Sequence, residues 1–288
     1  MDVQRDYHLL LVDVRGSTRM PPERVGPVME RLETTCGRLN ERFGDSLALD
    51  LSLSYGDEVA GLFLSGAPVY RCVVAMRETL YPDTGLRFVV AEGRIGVASD
   101  DIRKVGGPVF KVADEAMDDV KTQRLFGAWL LQDRKRSAVL DALTRLSNAF
   151  VEDMTDYQRT VYSRLREGAT RSGIADELGK YRQSVSDAAR RGAADLVLEA
   201  EEAVDRTLAG GNPRGVIAVV TKLRDRLVDD MTEYQRTVYR LMRAGRTGAQ
   251  IAEELGKHRQ SVSDAAARAH ADLAVEADRL ERRFASSP

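Results

Sequence analysis

The segment DMTDYQRTVYSRLREGATRSGIADELGKYRQSVSDAA, residues 153–189, returns as DMTEYQRTVYRLMRAGRTGAQIAEELGKHRQSVSDAA, residues 230–266, at a constant offset of 77 without a gap. About two thirds of the aligned positions are identical, so the C-terminal half reads as two copies of one supersecondary unit. Each copy opens on a capping box, Thr155 to Gln158 and Thr232 to Gln235. The hydroxyl accepts from a first-turn N–H while the Gln reaches back to the cap. Tyr157, Val161 and Leu165 then recur at helical spacing, and Gly168, or Gly245 in the second copy, ends the helix.

The stretch that follows has the pattern of a helix-turn-helix. Ile174, Ala175, Leu178, Gly179 and Val185 stand where that motif needs them, and Ile251, Ala252, Leu255, Gly256 and Val262 repeat the set. The alanine lets two helices approach, the glycine supplies a left-handed turn, and the valine anchors the second helix. That second helix turns Arg182, Gln183, Ser186 and Arg190 outward, and in the other copy Arg259, Gln260, Ser263 and Ala267. Arg and Gln form bidentate bonds to guanine and adenine edges, while Lys180, Ser184, Lys257 and Ser261 suit phosphate oxygens. Tyr181 and His258 occupy the N-cap, where Ser or Asn would cap better, and they are free to face sugar or base. The bland alternative is a solvated face of a helical bundle, and preservation of RQSVSD in both copies counts against it.

Around these motifs, SAVLDALTRLSNAFVED reads as a leading helix, ADLVLEAEEAVDRTL as another, GGNPRG as a break, and VIAVVTKLRDRL as the lead into the second copy. The expectation is four helices per unit, with the first unit over 136–209 and the second over 214–285. From residue 138 onward 24 basic side chains balance 24 acidic ones, but Lys180 to Arg191 carries four basic residues against Asp187. Any phosphate footprint is therefore local and shared between two units.

Residues 1–135 alternate differently, as an α+β domain. HLLLVDV reads as a buried strand, PPERVGPVMERLETTCGRLNERFG as a helix, and LALDLSLS and EVAGLFL as a hairpin interrupted at Tyr55, Gly56 and Asp57. PVYRCVVAMRETL, LRFVVAEGRI, GPVFKVADEAMDDVKTQ and AWLLQD follow as helix, strand, helix and strand. The order implies one antiparallel sheet with helices on one face, of the ferredoxin-like or palm-like class, followed by an all-α tandem helix-turn-helix region. Asp13 ends the first strand and Asp57 sits at the hairpin turn, so the two carboxylates are side by side if those strands are neighbours. Such a pair can hold Mg²⁺ against triphosphate oxygens, or be no more than a turn aspartate and a helix-start aspartate. Spacing alone leaves the two readings even.

The net charge of −2 argues against indiscriminate coating of nucleic acid. The two cysteines, Cys36 and Cys72, fall on apolar helix faces and read as reduced, buried thiols. No run approaches eighteen apolar residues and the N-terminus does not read as a secretion signal, so the expectation is a cytoplasmic protein with no membrane association.

The pieces VDVRGST and GDEVAGLF resemble the two metal-binding motifs of class III nucleotidyl cyclases, and the layout of such a domain ahead of a helix-turn-helix is similar to the SatD family. The resemblance implies a cyclase-like fold with Asp13 and Asp57 at the metal positions. It also implies a nucleotide site formed by Arg15, Gly16, Ser17, Thr18, Gly56 and Lys111, with Mg²⁺ accompanying the nucleotide. One departure matters: cyclases follow the fourth strand with a helix bearing an Asn and an Arg, and GGPVFKVADEAMDD offers Lys111 and Glu115 instead. Lys104 and Lys111 can still meet phosphate, whereas Gly106 and Gly107 read more readily as a turn than as a phosphate cradle. No catalytic residue is assigned. The leading expectation is a transcription regulator that binds double-stranded DNA, with a cyclase-like domain that senses a nucleotide or mediates homodimerisation. Two other classes stay open: a Mg²⁺-dependent nucleotide-processing enzyme tethered by the C-terminal units, and a protein-binding scaffold.

Overall fold

The computed structural model describes residues 1–54, 56–66 and 68–285; the expected turn position Tyr55 lies outside them. The chain divides into two compact units, residues 1–141 with 204–211, and residues 142–203 with 212 onward. Among the described residues, no helix is long and apolar enough to cross a membrane.

The first unit is built on five strands, β1 (Asp6–Val14), β2 (Leu47–Leu53), β3 (Glu58–Phe63), β4 (Leu86–Arg94) and β5 (Gly127–Leu130), in the order β2-β3-β1-β4-β5. β1 is central and antiparallel to both neighbours, pairing Leu10 with Gly61 and with Val90. Three helices join the strands: α1 (Pro22–Phe43), α2 (Val69–Leu80) and α3 (Pro108–Thr122).

Two expectations are corrected here. The sheet is mixed, because β5 runs parallel to β4, with Phe88 opposite Gly127. A parallel neighbour needs a long crossover, and α3 supplies it. Helices also cover both faces. Tyr7, Leu9 and Leu11 of β1 form one core with Val89 and Ala91 of β4 and with Val109, Ala113, Met117 and Val120 of α3. The alternate residues face the other way, where the Phe88 ring lies tilted against Tyr70 of α2 and edge-on to Trp129 of β5. An apolar run such as LLLV in β1, with Leu9, Leu10, Leu11 and Val12 at most 2% exposed, is what a strand buried on both faces requires. Each such side chain contributes roughly 1.5–3 kcal/mol of burial. Gly127 has a packing role: a Cβ there would fall 2.2 Å from the Phe88 ring.

α1 buries Val28, Leu32, Cys36 and Leu39 at helical spacing, and α2 buries Cys72, Val73, Met76 and Leu80. Both cysteines are free, and burial pushes their thiols up to about 12.

Each C-terminal copy has five helices rather than the four expected. The first has α4 (Arg134–Asp153), α5 (Asp156–Arg166), α6 (Arg171–Leu178), α7 (Arg182–Arg191) and α8 (Ala194–Leu208). The second has α9 (Arg214–Asp230), α10 (Glu233–Arg243), α11 (Gly248–Glu254), α12 (Arg259–Arg268) and α13 (Ala271–Ala285). The chain breaks after α7 and α12, where Ala193 and His270 take positive φ of 52° and 47°. A left-handed residue ends the helix there although no glycine occupies the position. The capping boxes at Thr155–Gln158 and Thr232–Gln235 form in full.

Candidate functional site

Two places carry clustered polar side chains at the positions singled out above. The first is the end of the sheet where β1 finishes. Asp13 pairs across the sheet with Glu58 on β3 and with Arg87 on β4. It lies on the face covered by α3, two residues beyond Leu11. α3 returns antiparallel to β4, so its last turn reaches the same end and brings Lys121 to Asp13. The Lys121 Nζ is 2.7 Å from Asp13 Oδ1 and Arg87 Nη1 is 3.3 Å from Oδ2. Asp13 itself is only 8% exposed.

The β2–β3 turn adds the second aspartate. Gly56 takes φ 66°, and the Asp57 carbonyl accepts from the Val14 N–H at 3.3 Å. The Ser17 hydroxyl donates to the Asp57 carboxylate. Gly16, at φ 70°, turns the chain out of β1 into a short 3-10 turn over Ser17–Arg19. Arg15 donates its N–H to the carbonyl of Gly85, the residue before β4, at 2.9 Å. The structure therefore gathers Asp13, Ser17, Asp57 and Glu58 with Arg87 and Lys121, beside the Arg15–Thr18 backbone.

Lys111 is not part of this group. It sits ten residues before Lys121, roughly 15 Å along the helix, beside Glu115 at 3.9 Å. The Gly106–Gly107 pair lies at that far end too and has a packing explanation. Val97 and Gly106 form a β-bridge, and a Cβ on Gly107 would fall 2.1 Å from the Gly96 nitrogen.

Electrostatics at the acidic end are self-compensating. Burial disfavours the Lys121 ammonium, but the Asp13 hydrogen bond and the charges of Asp13, Glu58 and Asp57 outweigh it and hold its pKa above the usual lysine value. Burial also raises the Glu58 carboxyl, against the opposing hydrogen bond from Ser54, and raises Asp114 with help from Asp118. As a donor set for a divalent ion the arrangement does not fit: both Asp13 oxygens already face cationic side chains and an Asp57 oxygen accepts from Ser17. Among the described residues no group of three or more His, Cys, Asp or Glu is arranged to hold a metal. An ammonium stands where the resemblance would put a cation. Sequence reasoning passed over Lys121 and Arg87, although the run of α3 back along β4 would have placed a lysine in its last turn near Asp13.

The second place is the pair of recognition-type helices. Ile174, Ala175 and Val185 are buried, as are Ile251, Ala252 and Val262, so α6 packs on α7 and α11 on α12. Gly179 and Gly256 make the turns at φ 59° and 61°, and the Lys180 N–H closes on the Ala175 carbonyl at 2.9 Å, as Lys257 does on Ala252. Lys180, Tyr181, Arg182, Gln183 and Arg190 are exposed, with Ser184 and Ser186 half-buried. In the second copy Lys257, His258, Arg259, Gln260, Ser261 and Ser263 are all exposed. Neither Tyr181 nor His258 makes a side-chain cap bond, and Tyr181 is 85% exposed. Gln183 donates to Asp187 at 3.4 Å and Gln260 to Asp264 at 2.7 Å. Arg190 pairs with Asp187 at 3.1 Å, a contact Ala267 cannot repeat.

No protein-family model matches the chain, and no curated protein matches it. Solved structures similar to it include a bacterial light-regulated adenylyl cyclase, 14% identical over 43% of this chain and 42% of that one, with a TM-score of 0.34. A second structure of such a cyclase is 15% identical over 43% of this chain and 74% of that chain, at 0.33. The guanylyl cyclase Cya2 is 20% identical over 40% and 70%, at 0.29. The chain thus spans less than half the length of the first of these, and no residue role follows from likenesses of this size.

Proposed function

We propose that this chain is a DNA-binding regulator that reads duplex DNA with two helix-turn-helix units, its sheet domain providing a nucleotide-sensing or dimerising input. The observation that carries the reading is the duplicated surface of α7 and α12. In each, Arg and Gln stand exposed on the first turn while Val, Ala and Ala hold the opposite face in the core. Those are the side chains and the position from which a recognition helix reaches base edges. The test is selection of genome fragments by the purified chain at physiological salt, with and without a nucleotide mixture and Mg²⁺. An enriched sequence is expected, with recovery that changes with nucleotide. The Arg182→Ala, Arg259→Ala double variant should weaken binding by about 1–3 kcal/mol per bidentate contact. Equal recovery of all fragments by parent and variant would defeat the proposal.

Convergence of Asp13, Asp57 and Glu58 favours a second reading, nucleotide processing at the acidic end. Compensation of Asp13 by Lys121 and Arg87 weighs toward binding over turnover. Consumption of any of the four nucleoside triphosphates that Asp13→Asn abolished would reverse that order.

A further inference from the structure

The two helix-turn-helix copies meet one another inside the second unit, and the way they meet is informative. Arg145 of α4 pairs with Glu276 of α13 at 3.3 Å, and Lys222 of α9 pairs with Glu199 of α8 at 2.6 Å. Residue 222 is the counterpart of 145 at the offset of 77, and 276 is the counterpart of 199. Position i of one copy therefore touches position j of the other, and j touches i. Only a two-fold relation produces such an isologous contact; copies related by translation along a chain would pair i with j and leave j facing elsewhere. A cleft of about 120 Å³ where the copies meet has the same property: Met154 with Met231, Gln158 with Gln235, and Arg191 with Arg268 line it as counterpart pairs.

We infer that the two copies form an intramolecular pseudo-dimer, so that one chain grips both arms of a single inverted-repeat duplex. The inference rests on the DNA-binding reading and adds arm orientation, spacing and stoichiometry to it. Arg191 and Arg268 are the last residues of α7 and α12. Both line the cleft, so both helices end near the pseudo-dyad and start away from it. Each helix rises roughly 13 Å from its last residue back to its first, so the two helices together add at most roughly 27 Å to the separation of Arg191 and Arg268 across the cleft. An added span of that size suits half-sites one helical turn apart, about 34 Å, on one face of the duplex. The arms will not be read identically: Arg190 is replaced by Ala267 and Tyr181 by His258. The arm under α7 carries the additional cation.

The experiment is selection from a random duplex library with the full chain, followed by sedimentation of the chain with the enriched duplex. Expected are an inverted repeat with arms centred about 10 base pairs apart, one chain per repeat, and affinity for the two-arm duplex on the order of 100-fold above that for one arm. The Glu199→Lys, Glu276→Lys variant should lower that two-arm preference about tenfold while one-arm binding stays unchanged. Adding Arg145→Glu and Lys222→Glu should restore it. A direct repeat, arms two turns apart, or two chains per inverted repeat would overturn the pseudo-dimer while leaving DNA binding intact. No enrichment of any duplex would overturn the DNA-binding reading, and this inference with it.

Discussion

Replacing Lys121 with Met isolates the role of the ammonium at the acidic end of the sheet. The change keeps the length of the side chain and removes its charge. Asp13, 8% exposed, is left with Arg87 at 3.3 Å and with Glu58 directly across the sheet. Breaking a fully buried pair costs about 3–5 kcal/mol, but the Lys121 side chain is 40% exposed and Arg87 stays in place. Solvent screening and the remaining cation reduce the expected loss to about 1–2 kcal/mol. Urea titration followed by tryptophan fluorescence measures it in the right place, because the one tryptophan, Trp129, is 2% exposed in β5 of the same unit. With the ammonium gone, the charges of Asp13, Asp57 and Glu58 that act on it lose their shared cation, so millimolar Mg²⁺ or Mn²⁺ should raise the midpoint of the variant and leave the parent unchanged. A divalent ion at 100 times its dissociation constant would add about 2.7 kcal/mol. Because the Lys121 pKa is raised in the fold, the parent holds this stabilisation below the ordinary lysine pKa and loses it as pH rises through the folded value. A variant as stable as the parent, or a parent that gains as much from Mg²⁺ as the variant does, would refute the assignment of Lys121 to the cation position.

Other consequences follow from the same geometry. Glu58→Gln should stabilise the first unit at neutral pH by less than about 1 kcal/mol. Burial raises the Glu58 carboxyl in the fold, so the parent loses stability as pH rises from the unfolded pKa to the folded one, and the variant's urea midpoint should lack that step. Tyr239→Phe removes the hydroxyl that donates to Asp278, a carboxylate 3% exposed that also holds Arg224 and Arg243. A loss of about 1–3 kcal/mol is expected in urea titration of the helical circular dichroism. In the parent, Tyr239, its pKa pushed up to about 12 by burial and by Asp278, should ionise late in an ultraviolet alkaline titration. His270 of one copy bonds Asp153 of the other at 3.0 Å, and this bond raises its pKa. Its contribution is complete below the unfolded value of 6.5 and disappears as pH rises through the folded one, and proton NMR of the His270 ring should show a midpoint above 6.5. A midpoint at or below that value would mean that the ion pair does not form in solution.

Features set by neighbouring residues were legible in the sequence. The capping boxes, the left-handed Gly179 and Gly256, the buried Val185 and Val262, and the strand–helix order of the first unit each depend on a few adjacent positions. Hydrogen bonding, propensity and periodicity act at that range. The positions of Asp13 near the end of β1 and of Asp57 in the β2–β3 turn were legible too, but the residue across the sheet from Asp13 is Glu58, which the sequence reading did not single out.

What the sequence left undecided depends on which segments meet. The parallel β5, the helix layer on each face of the sheet and the compensation of Asp13 by Lys121 and Arg87 come from strand order and the run of α3. The distance of Lys111 from that site, and the reciprocal pairs Arg145–Glu276 and Lys222–Glu199, join residues far apart in the chain. The 77-residue repeat shows that there are two helix-turn-helix copies, but an offset is the same number whether the copies are related by translation or by a two-fold axis. The reciprocal ion pairs of α4 with α13 and of α8 with α9 carry that distinction, because only a two-fold relation pairs position i of one copy with j of the other and j with i.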